Sequence, residues 1–193
     1  MSVKYSEIAL KVRNGLFLAS SRTYGEQYIE PFIRSEFALT EPTGNDHDGV
    51  DSQGTRYEIK ASKVLQVTNN LDKSKSLYER ILFENSNLET SRLITFEASS
   101  TSEYGANIQN VKRDHFELLI YVLLFENCLK VFKIQSELIS EIPSWSNKHG
   151  RYDQLGKSGQ FPIHKGNIDW HLDGHLIETY SYEHMANVYK ELY

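Results

Sequence analysis

A chain of 193 residues with 39% hydrophobic, 24% charged and 12% aromatic side chains is long enough to bury a core of its own, and its single cysteine excludes an internal disulfide framework. Its 26 acidic against 21 basic residues give a net charge of −5, which excludes nucleic-acid binding by bulk positive charge and confines any such contact to a local patch. The longest apolar run, Leu118 to Phe125, falls short of the roughly 18 residues of a membrane span, and MSVKYSEIAL lacks the basic-then-apolar build of a secretion signal, so no membrane contact and a reducing cytoplasm are expected.

No repeat or linker interrupts the sequence, and residues 1–193 read as one domain. Ile8, Leu10, Val12, Leu16, Phe17 and Leu18 form an imperfect helical stripe, and a second helical segment begins near Tyr24. Pro31 removes a backbone donor and disfavours helical geometry at Glu30, which predicts a kink or split there. In NDHDGVDSQGTRYEIKAS, Asn45 to Ser62, turn-forming residues at 51–54 separate a short segment ending at Val50 from the strand-like TRYEIK, which predicts a hairpin. Leu71 to Glu84 has helical spacing, and Arg92 to Ala98 alternates as a strand should. Glu117 to Phe125 and Leu129 to Ile134 flank Glu126 and Asn127, predicting a second hairpin with one long buried strand. Cys128, set in this apolar surrounding, is expected to be a buried, inert thiol. Ser136 is a candidate cap for a short helix over Glu137 to Ile142.

Pro143 to Gly166 reads as a long polar loop. In it Lys148, His149, Arg151, Lys157 and Lys165 interleave with Trp145 and Tyr152, the pattern of a solvated loop or of a surface that tracks phosphates. A strand pair around Ile168 to Thr179 and a short helix from Ser181 to Leu192 close the chain. His171 and His175 lack the companions of a zinc site and read as surface or supporting histidines.

Chemistry concentrates in the first hairpin. Strand alternation puts Glu58 and Lys60 on one face, with Ile59 turned into a core. Folding back across the turn brings Asp48 or Asp51 beside Glu58. Two bare carboxylates about 4 Å apart repel by roughly 4 kcal/mol at an effective dielectric near 20, so a positive group belongs between them. A divalent cation with oxygen ligands meets that need, and Mg²⁺ suits a site of few carboxylates, water and phosphate oxygens. Asp51 opens the turn, where aspartate bonds its own backbone, so Asp48 is the expected ligand. A metal held by Asp48 and Glu58 would acidify water and clamp a phosphate, and Lys60 would orient that water or neutralise developing charge.

Asp48, nine intervening residues, then Glu58-Ile59-Lys60 resembles the PD-(D/E)xK motif of type II restriction endonucleases and related repair nucleases, with His47 standing where the motif has proline. The resemblance implies an α/β fold with a central mixed sheet flanked by helices, restriction-endonuclease-like, in which Asp48 and Glu58 bind Mg²⁺ and Lys60 assists hydrolysis. Some members of that family add a glutamate from a preceding helix, which makes Glu26 a further catalytic and metal-binding candidate. Its competing reading is a capping box with Thr23, and Glu30 ranks below it because of the neighbouring proline. Gln109 and Lys112 precede the long buried strand, where sheets of that family often bring a polar residue near the scissile phosphate.

The implied activity is Mg²⁺-dependent cleavage of double-stranded DNA, one strand per site. Compact length, acid balance and the lack of a helix-turn-helix or zinc motif resemble the small subunit of a heterodimeric type IIS restriction enzyme, whose larger partner reads the site and nicks the other strand. A homodimeric restriction enzyme, a structure-specific repair nuclease or resolvase, and a non-enzymatic DNA-binding protein with a degenerate site are the alternatives.

Overall fold

The computed structural model describes residues 6–42, 44, 46–67, 76, 92–147 and 158–192. In chain order these form α1 (Glu7–Leu18), a π-helical segment (Thr23–Ile29) running into α2 (Glu30–Glu36), β1 (Gly49–Val50), β2 (Arg56–Lys63), β3 (Leu65–Gln66), β4 (Tyr104–Val111), β5 (Leu118–Leu124), β6 (Leu129–Gln135), β7 (Gly159–Ile163), α3 (Ile168–His175), β8 (Leu176–Tyr180) and α4 (Tyr182–Leu192). The main sheet has five strands in the order β1-β2-β5-β6-β8, and a smaller one has three in the order β3-β4-β7. β2 pairs parallel with β5, while β1–β2, β5–β6 and β6–β8 are antiparallel, so the expected α/β architecture with a mixed sheet is present. Among the described residues no helix is long and apolar enough to cross a membrane.

β5, with the sequence LLIYVLL, is central, and that position accounts for its unbroken apolar run. Leu119, Tyr121 and Leu123 pack with β4, β7 and the start of α3. Ile120, Val122 and Leu124 pack on the other face with residues of α1, α2 and α4. A tight turn closes the β5–β6 hairpin, the Phe125 N–H donating to the Cys128 carbonyl at 2.9 Å. Cys128 is buried, and burial pushes its thiol up to about 11, so it is inert as expected.

Several elements differ from the sequence expectations. The helix does not break at Pro31. Ahead of it the backbone widens into the π-helical segment, the Glu30 N–H donates to the Gly25 carbonyl, and Pro31 falls in the first turn of α2, where a missing donor costs least. Arg92 to Ala98 is not a strand. Leu93 makes one isolated bridge to Leu65, and the β5–β6 turn occupies its neighbours' backbone: the Glu126 N–H donates to the Ile94 carbonyl at 2.8 Å, and the Phe96 N–H to Asn127 Oδ1 at 2.9 Å. Ser136 makes no side-chain cap, and a 3₁₀ helix over Ser136–Glu141 replaces the expected one.

β7 forms within the stretch read as a loop, and it pairs with β4, which was not expected as a strand. Ile168–His175 is helical rather than extended. Asn167 anchors its start, accepting from the His164 N–H and donating to the Pro162 carbonyl, both at 2.8 Å, and buried Ile168 and His171 follow helical spacing. The helical spacing over Leu71 to Glu84, apart from Ser76, and Lys148, His149, Arg151, Tyr152 and Lys157 lie outside the described residues.

Candidate active site at the edge of the mixed sheet

The β1–β2 turn is built on Asp51. Its Oδ1 accepts from the Gln53 and Thr55 N–H groups, each at 2.9 Å, and its Oδ2 from the Tyr57 hydroxyl at 3.2 Å. Desolvation raises this carboxyl, but the Thr55 and Gln53 amides outweigh it and hold it below the ordinary aspartate value. Gly54 completes the turn in the left-handed region, φ 85°.

Asp48 lies just beyond the short ladder. Its N–H donates to the Tyr57 carbonyl at 2.7 Å, while its Oδ2 accepts from the Ile59 N–H at 2.8 Å and from Lys60 Nζ at 3.2 Å. The carboxylate thus takes over the backbone donor that β1 is too short to pair, and β2 itself fixes its direction. Arg34 donates to the Asp48 carbonyl at 3.2 Å.

Along β2, Tyr57, Ile59 and Ala61 face the cluster under α1, α2 and α4. Glu58, Lys60 and Ser62 alternate to the other side, where Ser62 Oγ accepts from the Asn107 N–H of β4 at 3.0 Å. Glu58 is 5% exposed. Lys60 Nζ stands 2.5 Å from Glu58 Oε1 and 3.2 Å from Asp48 Oδ2, so one ammonium serves two carboxylates. Burial pushes the Glu58 carboxyl up to about 7, with Asp48 adding and Lys60 opposing. Burial would lower the Lys60 ammonium, but Glu58 and Asp48 outweigh it and hold the group above its ordinary value.

These groups line a cleft of about 940 Å³ together with Glu26, Glu30 and Arg34 from the helical side and Asn107, Gln109, Asn110 and Lys112 from β4 and its end. The two helical glutamates differ in burial, the lower-ranked Glu30 being the more enclosed. Glu26 is half exposed and pairs with Arg22 at 3.1 Å. Its capping box is absent, because the helix begins earlier and Ser20 Oγ accepts from the Thr23 N–H at 3.3 Å. Glu30 turns inward, with Arg34 at 3.8 Å. Burial pushes it up to about 7, Asp48 adding to the rise while Lys60 and Arg34 oppose it. In an α-helix residues four apart share a face. Over the wider π turn they stay on nearly one face too, close enough for Glu26 to add to the rise of Glu30, and Glu26 differs in lying at the exposed rim. The reason for placing Glu30 lower was Pro31, which sits in the first turn of α2 and leaves the helix there intact.

His171 is neither a surface nor a supporting residue of this cleft. It is fully buried in the apolar cluster on the β4 face, with Nδ1 2.7 Å from the Tyr121 hydroxyl and its ring stacked on Phe161.

Among the described residues, no group of three or more His, Cys, Asp and Glu side chains forms a ready cage for a metal ion. Mg²⁺ is usually held by one or two carboxylates completed by water and substrate phosphate oxygens. Asp48 and Glu58 fit that demand, since their oxygens converge on a common neighbour, the Lys60 ammonium. No family model matches the chain, and no curated protein matches it.

Proposed function

We propose that this protein is a Mg²⁺-dependent endonuclease that hydrolyses phosphodiester bonds of double-stranded DNA, one strand per active site, as part of a restriction system. The observation that carries this reading is the convergence of Asp48 and Glu58 on Lys60 in a polar cleft, with the Glu58 carboxyl and that of neighbouring Glu30 both held near 7. When bound, Mg²⁺ supplies an acidified water and a positive clamp for the phosphate. Asp48 and Glu58 are the residues that hold it. Lys60 keeps a positive charge at the site and offers a donor to the attacking water or the phosphate oxygens. Arg34 steadies the backbone of Asp48 and balances Glu30.

One such cluster cuts one strand, so a double-strand break needs a second active site. We assign it to a larger recognition and nicking subunit, with a second copy of this chain as the alternative supplier.

The test is incubation of the purified chain with supercoiled, linear and branched DNA in Mg²⁺ or EDTA, alone and with the partner recovered from native cells. Metal-dependent nicking is expected, and Asp48→Asn or Lys60→Ala should lower it by at least ~10²-fold. Undiminished cleavage in both variants would overturn the site assignment. Preference for branched over linear duplex would favour a structure-specific repair nuclease, and double-strand cutting by a self-associated chain would favour the homodimer.

A further inference from the structure

β4 forms the wall of the cleft opposite α2, and it is not a regular strand. Its pairing with β7 runs from Ala106↔Ile163 to Ile108↔Phe161 and resumes at Val111↔Gly159, so β4 carries one residue more than β7 over that step. Asn110 takes the left-handed conformation, φ 58°. In a regular strand one of two neighbouring side chains points inward. Here Gln109 and Asn110 are both exposed, between buried Ile108 and Val111, and both line the cleft. Asn107, on the regular part of the strand, is tied down by its bond to Gln160 Oε1 at 3.3 Å. No hydrogen bond among the described residues engages the Gln109 or Asn110 carboxamide. The bulge therefore delivers two adjacent, uncommitted carboxamides to the wall above Glu58 and Lys60.

The chemistry of a carboxamide selects its partner. A phosphate oxygen only accepts hydrogen bonds, and a lysine or arginine serves it better. A carboxamide presents a donor and an acceptor side by side, which matches the adjacent N6–H donor and N7 acceptor of adenine. We infer that the β4 bulge is a base-reading element: Gln109 and Asn110 bond base edges next to the phosphate held over the cleft floor, with adenine preferred, while Lys112 contacts the sugar-phosphate backbone. This assignment rests on the DNA-directed reading proposed above and adds to it a source of sequence preference within this chain. Asparagine is among the residues that tolerate left-handed backbone best, so the bulge is held at this position without glycine.

The experiment selects bound duplexes from a randomised pool in Mg²⁺, using an Asp48→Asn background so that bound DNA stays intact, followed by sequencing. The background protein should enrich adenine at one or two positions. Gln109→Ala, and Asn110→Gly, which keeps the left-handed backbone available, should each erase the enrichment at one position by roughly 5- to 100-fold while leaving salt dependence unchanged. Gln109→Glu, which can only accept, should move the preferred base at its position toward cytosine. Lys112→Ala should weaken all sequences alike and reduce the salt slope by about 1. A flat profile, or one that none of the Gln109 and Asn110 substitutions alters, overturns this assignment alone. Failure to bind any duplex overturns it together with the DNA-directed reading, whereas base selection without metal-dependent cleavage by the wild-type chain overturns only the nuclease.

Discussion

Asp48 and Asp51 share one hairpin and do different work, because their surroundings offer different donors. Asp51 meets the two turn amides of Gln53 and Thr55 and spends its oxygens on the backbone. Asp48 meets one strand amide and the Lys60 ammonium, so part of its carboxylate faces the cleft. Two substitutions should separate these roles. Asp51→Ala should lower the melting temperature by about 2–6 °C and leave metal-dependent cleavage per folded molecule within about 3-fold, because the turn loosens while the ladder holds Asp48. Asp48→Asn should do the reverse, since its amide oxygen still accepts from the Ile59 N–H while the second negative charge beside Lys60 is gone. Thermal melts and cleavage rates on the same preparations check both outcomes. If Asp51→Ala abolishes cleavage in a protein that melts normally, the division between the two aspartates is wrong. This division was legible in sequence, because turn chemistry is local: the residues that satisfy Asp51 lie within four positions of it.

At the scale of elements, the helical wall presents two glutamates to the cleft, Glu30 enclosed and Glu26 at the rim. Glu30→Gln should lower metal-dependent cleavage by at least ~10-fold, the range typical of groups that orient or balance metal-binding residues, while Glu26→Gln should change it by less than about 3-fold. Equal losses, measured as rates at saturating Mg²⁺, would show that both carboxylates reach the reacting groups and that their difference in burial does not separate them. The same distinction between near and distant determinants explains which elements could be foreseen. The β1–β2 and β5–β6 hairpins announce themselves through apolar runs and turn residues adjacent in sequence. β4 alternates over Tyr104, Ala106 and Ile108, but its partner β7 lies about fifty residues on, within a stretch whose composition reads as a loop. α3 starts from Asn167 held by Pro162 and His164, local contacts that lie ahead of HLDGH and that its spacing does not encode. Arg92 to Ala98 has strand spacing but lends its backbone to a turn from another hairpin. Of the site, Asp48, Glu58 and Lys60 were legible because two lie on one strand and the third across one turn. Gln109 and Lys112 stand out by their place ahead of β5, whereas Asn110 does not, because its exposure depends on the register shift between β4 and β7.

For the whole molecule, the mixed sheet separates two apolar clusters, and the one on the β4 side holds an ionisable group at its centre. His171 is fully buried, bonded through Nδ1 to the Tyr121 hydroxyl, and its Nε2 has no partner among the described residues. Burial, assisted by His175 and His164, pulls the imidazole down to about 4 from its ordinary 6.5. Below pH 6.5 the unfolded chain takes up a proton at this histidine that the folded chain refuses. Its stability contribution is therefore complete above about 6.5 and is lost as pH falls toward 4, a difference of roughly 3 kcal/mol. Glu58 and Glu30 act with the opposite sign. Their folded values of about 7 lie above the unfolded 4.5, so the folded chain holds more protons between those limits and their contributions strengthen as pH falls from 7 to 4.5. The wild-type stability curve alone thus mixes opposing slopes, and the informative quantity is a difference between proteins. His171→Gln, which keeps an acceptor for Tyr121, should be less stable than wild type at pH 7.5 through lost packing, and that deficit should shrink by roughly 2.5 kcal/mol by pH 4.5. Urea unfolding of both proteins at pH 4.5, 6 and 7.5 measures it. A deficit that stays constant across this range would mean that His171 titrates alike in the folded and unfolded chain, and that this half of the core is open to protons.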